Sequence, residues 1–159
     1  REWRNDLMIN RPNSIITHDC VWTSSGTKID FLQTKEKEFS TIAKFSRSDV
    51  HHSVRQSGNK YQVDTISLLD LLRKYDAPRI IDFLSIDTEG SEFAILESFD
   101  FDSYAFSVIV CEHNFTPNRE KIYNLLISKG YSRVMEHISL FDDWYVLGDL
   151  EKVINTCDD

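Results

Sequence analysis

An apolar run that stops abruptly at acids, with a helical pattern starting at once behind it, limits the fold of this chain more than any other feature. Residues 79–87 carry Ile80, Ile81, Phe83, Leu84 and Ile86, and then the chain reads Asp87, Thr88, Glu89, Gly90, Ser91, Glu92. A buried parallel strand reads this way where it leaves a sheet and delivers polar groups to a ligand crevice. Residues 106–112 repeat the pattern, with Val108, Ile109, Val110 and Cys111 running into Glu112, His113 and Asn114. Two strand ends loaded with polar groups imply one shared site.

The flanking segments complete an alternating order. Residues 14–22 are β-branched and apolar and close on a turn around Gly26. Residues 28–34 and 38–46 predict a hairpin around a charged tip, and residues 46–60, polar with His51, His52 and Gly58, predict a mobile loop. A short strand over 61–66 leads into a helix over 67–75, capped by Ser67 and ended by Pro78. Residues 91–99 predict a second helix. A third begins at Thr116 as cap and Pro117 at its first position, and runs to Gly130, a left-handed C-terminal residue. Residues 131–137 and 143–147 predict a final antiparallel pair. Strand and helix in alternation predict an α/β sheet, parallel at its centre with a C-terminal antiparallel hairpin and helices on both faces.

At 159 residues the chain has the length of a single domain. A formal charge of -8 argues against nucleic-acid backbones and anionic membranes as partners. No apolar run approaches bilayer length. Cys20, Cys111 and Cys157 are far apart and fit buried thiols in a reducing, cytoplasmic setting better than disulfides. The polar start at Arg1 reads as the interior of a larger protein.

The residue types at the two strand ends leave several chemistries open. His113 beside Glu112 suits general acid–base work. Asp87, Glu89 and Glu112 together suit one hard divalent cation such as Mg2+, which a hydrolase would use. Asp87 and Glu89 share a direction if the strand stays extended to their positions. Glu89 and Glu92 also sit where a helix dipole favours acids, and His51 and His52 read as ordinary loop residues.

Residues 82–92 (Asp-Phe-Leu-Ser-Ile-Asp-Thr-Glu-Gly-Ser-Glu), then 108–113 (Val-Ile-Val-Cys-Glu-His), then Lys129, Gly130 and Tyr131, resemble the FkbM family of S-adenosylmethionine-dependent methyltransferases. Residues 63–72 and the Asn10-to-Asn13 approach to the first strand add to the likeness, which spans about residues 8–147. The resemblance implies a Rossmann-like class I methyltransferase sheet and methyl transfer to a hydroxyl on a sugar or natural-product-like small molecule. It implies His113 as base with Asp87 and Glu112 beside it, Asp87 and Glu89 lining the cofactor side, and Asp19 against the adenine ring; the residues name no resident metal. It also implies an N-terminally incomplete domain over residues 1–159. The family's glycine-rich cofactor turn has no counterpart here, and residues 1–10 look like the end of the second helix. The expected consequence is a sheet edge covered by a second copy or another partner. The competing expectation is a non-catalytic methyltransferase-like module that binds or assembles.

Overall fold

The computed structural model describes residues 4–148; Cys157 lies outside them. Helix α1 (Arg4–Asn10) opens the described chain and buries none of its residues. Strands β1 (Cys20–Trp22), β2 (Lys28–Gln33), β3 (Thr41–Ile42) and β4 (Asn59–Ser67) form one sheet in the order β1-β4-β2-β3. Strands β5 (Ile80–Ile86), β6 (Ala105–Glu112), β7 (Tyr131–Val134) and β8 (Asp142–Leu147) form another in the order β5-β6-β8-β7. Helices α2 (His52–Arg55), α3 (Leu68–Lys74), α4 (Glu92–Glu97) and α5 (Asn118–Ser128) connect them. The order of strand and helix is the α/β one expected, but the single sheet is replaced by two. Each has a parallel pair, β1 with β4 and β5 with β6, and antiparallel pairs beyond it. The C-terminal hairpin is β7 with β8. No helix among the described residues is long and apolar enough to cross a membrane.

Several local expectations hold for stated reasons. The Ser67 hydroxyl accepts from the Asp70 N–H and caps α3. Gly130 has φ +86 and follows α5 as the left-handed residue that lets the chain turn into β7. The Tyr131 hydroxyl then reaches across to accept from the Phe106 N–H.

Others fail. The strand expected over 14–22 shrinks to three residues, because β4 is its one ladder partner and the Thr17 hydroxyl turns back onto Asp19 just ahead of it. The hairpin expected over 28–46 has a second arm of two residues. Strand β2 finds its long partner in β4, over six paired positions. Thr116 does not cap α5; its hydroxyl donates to the His113 carbonyl. The helices do not divide between two faces of one sheet. Ile95 and Leu96 of α4, Ile122 and Leu126 of α5 and Leu68 of α3 join one core with Ile109, Cys111 and Tyr145. Those three sheet residues lie on one face, since Ile109 pairs with Tyr145 and Cys111 is two positions on. The opposite face carries Phe83, Val108, Trp144 and Val146, with the Phe83 and Trp144 rings 6.1 Å apart and Phe83 half exposed.

The segment over residues 46–60 is not a free loop. Arg55, at the end of the short helix α2, is 2% exposed. Its guanidinium donates to both Asp49 carboxylate oxygens at 2.8 and 2.9 Å, to the Phe39 carbonyl at 2.8 Å, and to Glu89 Oε2 at 2.7 Å. His51 stacks on Phe39 at 4.1 Å, a packing role in keeping with its reading as an ordinary loop residue.

Candidate active site

Strand β5 ends at the buried Ile86, and the next five residues form a tight acidic corner. Glu89 and Gly90 both take positive φ, +58 and +113, so the chain reverses rather than staying extended. A Cβ on Gly90 would meet Ser48 Oγ at 2.9 Å and Phe45 Cβ at 3.2 Å, so the corner also needs glycine for space. The buried Glu92 carboxylate stitches the corner together, accepting from the Thr88 N–H, the Thr88 hydroxyl and the Gly90 N–H. Its position at the helix start therefore has a structural use. The Ser91 hydroxyl donates to Thr88 Oγ1 at 2.7 Å.

The β2–β4 sheet braces this corner from the side. The Thr41 hydroxyl donates to the Glu89 carbonyl at 2.8 Å while Arg55 holds the Glu89 carboxylate. A left-handed, non-glycine residue is costly by itself, and here both its carbonyl and its side chain are tied down. Arg55 and Asp49 were not legible as site residues, because each sits in a polar stretch with no periodic pattern, and Thr41 read only as part of a hairpin arm.

Asp87, Glu89 and Glu112 come together as the two strand ends suggested, with one carboxylate oxygen from each lying within 4.8 Å of the others. They meet through the turn at Glu89 and Gly90 and not through strand alternation. Asp142 is a fourth acid at the same end. It pairs with Glu112 across the ladder, and burial together with the negative charge of Asp87 raises its carboxyl above the usual range. Alternation on β8 sends Asp142 to this side and Asp143 to the other, a distinction that needs the register.

Burial, reinforced by the crowding of like charges, decides the protonation of the corner. Burial, then Asp87 and Glu89, push Glu112 up to about 9, and a hydrogen bond with Asp87 adds to the effect. Burial and Asp87 outweigh the Arg55 guanidinium on Glu89 and push it up to about 7. At neutral pH Glu112 therefore keeps its proton beside Asp87. The same oxygens suit a hard divalent cation in its place.

His113 does not join them. One residue past Glu112, it turns to the helix side of the sheet and is 4% exposed. Its Nδ1 accepts from the Phe115 N–H at 3.0 Å, and Nε2 lies 3.7 Å from Asp143 without a hydrogen bond. Burial lowers its pKa below the ordinary value. A neutral imidazole whose one lone pair is already engaged has none left for a substrate proton. Asp143 is instead the anchor of that side: Arg119 grips it with two bonds, at 2.8 and 2.7 Å, and ties α5 to β8. Burial pushes Asp143 up, and Arg119, with His113 and Arg133, more than reverses it and holds it below the usual range.

Asp19 is also elsewhere. It accepts from Lys74 and Thr17, each at 2.8 Å, in a groove of about 860 Å3 between α1 and the β1–β4–β2 sheet. Two cysteines are free thiols as expected, Cys111 fully buried and Cys20 partly.

The family profile of the methyltransferase FkbM domain matches residues 3–147. The chain belongs to the FkbM methyltransferase family. Comparisons with curated proteins and with solved structures return no match. In this FkbM domain the acidic corner follows the first parallel strand of its sheet, in the segment that carried the resemblance.

The raised acids make stability fall with pH. Between the ordinary carboxyl value of 4.5 and about 9, folded chain keeps a proton on Glu112 that the unfolded chain has lost. That contribution is complete below the unfolded value and disappears as pH rises through the folded one. Glu89 adds the same sign over 4.5 to about 7. Thermal melts from about pH 5 to about pH 9 are expected to show a steeper loss of Tm for the native chain than for Glu112→Gln, which cannot titrate. Parallel curves for the two would contradict a proton held on Glu112.

Proposed function

We propose that this FkbM-family chain acts in S-adenosylmethionine-dependent methylation of a hydroxyl oxygen on a sugar or natural-product-like small molecule. The observation that carries the reading is the acid corner of Asp87, Glu89 and Glu112 at neighbouring parallel strand ends, within a family match that covers nearly the whole chain. Carboxyl oxygens at such a crevice suit a cationic sulfonium. The fit is partial. The five glycines, Gly26, Gly58, Gly90, Gly130 and Gly148, are too widely spaced for any glycine-rich turn that would hold the nucleoside and amino-acid parts. Asp19 keeps a role only as a wall of the separate groove.

S-adenosylmethionine, when bound, supplies an electrophilic methyl group. Asp87, the exposed member of the corner, takes the hydrogen bond of the acceptor hydroxyl and its proton as the oxygen is alkylated. Glu112, protonated up to about 9, donates to Asp87 and fixes the orientation of that carboxylate. Glu89, held by Arg55, supports the corner from below. This assigns the base to Asp87 in place of His113.

The glycine spacing favours a second reading, a methyltransferase-like module that binds or assembles without the cofactor. Calorimetry separates the two. The enzyme reading predicts saturable heat with S-adenosylmethionine, and a drop in methyl transfer of about 100-fold or more for Asp87→Asn, the range of a general base. Folded protein that gives no heat with S-adenosylmethionine would overturn it in favour of the binding module.

The FkbM chain is further proposed to self-associate through β5. Among the described residues β6 is the one ladder partner of β5, and Ile80 and Phe83 on β5 are 67% and 51% exposed. An apolar edge with open backbone groups invites pairing. Sedimentation is expected to show dimer or larger species growing with concentration. A monomer that persists at high concentration would contradict this.

A further inference from the structure

A second recess opens beside the acid corner. The loop between β7 and β8, with Trp144 of β8, encloses a cleft of about 520 Å3 lined by Met135, Ile138, Ser139, Leu140, Phe141, Asp142 and Trp144. Five of the seven side chains are apolar, yet Leu140 is 70% and Ile138 61% exposed. Grouped exposure of this kind marks a binding surface, whereas scattered apolar residues do not. The volume is that of a small-molecule site, which runs to about 300–1,000 Å3.

The lining and its neighbours bear on the chemistry of a ligand. Ser139, a lining residue, has a buried Oγ with no hydrogen-bond partner among the described residues. The cleft borders the acid corner at Asp142, which lines it, pairs with Glu112 across the ladder and feels the charge of Asp87. The surrounding backbone is strained: Met135, Asn114 and Phe115 all hold positive φ, at +59, +43 and +54. Strain of this kind collects at functional loops. The His113 N–H donates to the Phe141 carbonyl at 2.8 Å, and the Phe115 and Phe141 rings meet edge to face at 5.9 Å, so the segment after β6 is tied to the loop that lines the cleft.

We propose that this cleft takes the apolar body, a ring system or alkyl chain, of the methyl acceptor, with the acceptor's hydroxyl end directed at Asp142 and the Asp87–Glu112 pair. The acceptor is then an amphipathic molecule, and a bare sugar lacks the part that fills the cleft. The word acceptor rests on the methyltransferase reading; the cleft's preference for an apolar body with a hydroxyl does not.

The test uses the full chain with methyl-labelled Met, Ile and Leu, titrated with naphthol as an apolar hydroxylated probe and glucose as a polar one, without S-adenosylmethionine. Naphthol is expected to shift the Met135, Ile138 and Leu140 methyl signals saturably, and glucose to leave them unmoved. Leu140→Asp, at an exposed position that folding does not depend on, should weaken naphthol by about tenfold or more with an unchanged Tm. Ser139→Ala should weaken naphthol more than it weakens naphthalene, which has no hydroxyl. Methyl signals unmoved by naphthol, equal binding to Leu140→Asp, or the same shifts produced by lipid vesicles alone would each overturn the proposal. Binding as expected in a chain that never transfers a methyl group would leave the cleft standing and remove the enzyme reading. Transfer to glucose at the rate seen with naphthol would do the opposite.

Discussion

A single buried guanidinium holds the acid corner in shape. Arg55 is removed from water, and a charge in that position persists only if it is paired and its donors are used. Asp49 takes two donors, the Phe39 carbonyl a third and Glu89 a fourth. The first two partners belong to the irregular segment after β2 and the last to the turn after β5. The bond network therefore fastens one sheet onto the corner that follows a strand of the other. Thr41 reinforces it on the Glu89 carbonyl, and Gly90 permits the close approach of Phe45 and Ser48.

Fixing Glu89 has electrostatic consequences for its neighbours. With Glu89 unable to swing away, Glu112 stays buried and close to two other acids, and both effects keep a proton on it. A corner of this kind holds a hydrogen-bond donor and an acceptor side by side. That pairing suits a hydroxyl which must be oriented first and relieved of its proton afterwards. The loop between β7 and β8 sets an apolar cleft beside Asp142, so polar and greasy groups are brought next to each other by adjacent elements.

The strands β5 and β6, the helix capped by Ser67 and the turn at Gly130 were legible because each rests on local chemistry: apolar runs, a capping hydroxyl, a left-handed glycine. The acids Asp87, Glu89 and Glu112 were legible for the same reason, as polar groups that abruptly end apolar runs. What the sequence could not disclose depends on register and on distant partners. His113 and Glu112 are adjacent in sequence and were read as one functional pair, yet alternation puts them on opposite faces. Asp142 and Asp143 look equivalent, and only the ladder to β6 sends one to the acid corner and the other to Arg119. Arg55 lies in a polar stretch that resembles any solvated loop, since nothing local says that its partners lie on another sheet. The division into two sheets rests on which strands pair, β4 with β1 and β2 and β5 with β6, and pairings between separate segments are not written in either strand alone.

The dependence of the corner on Arg55 is measured most directly by a double-mutant cycle of Arg55→Met and Glu89→Gln, read by denaturant unfolding. The two residues share a bond at 2.7 Å in a buried setting, so the losses from the single changes should overlap. A coupling of about 1 kcal/mol or more is expected, within the range found for residues in one network. Losses that simply add would contradict the account, because Glu89 would then be held by something other than Arg55.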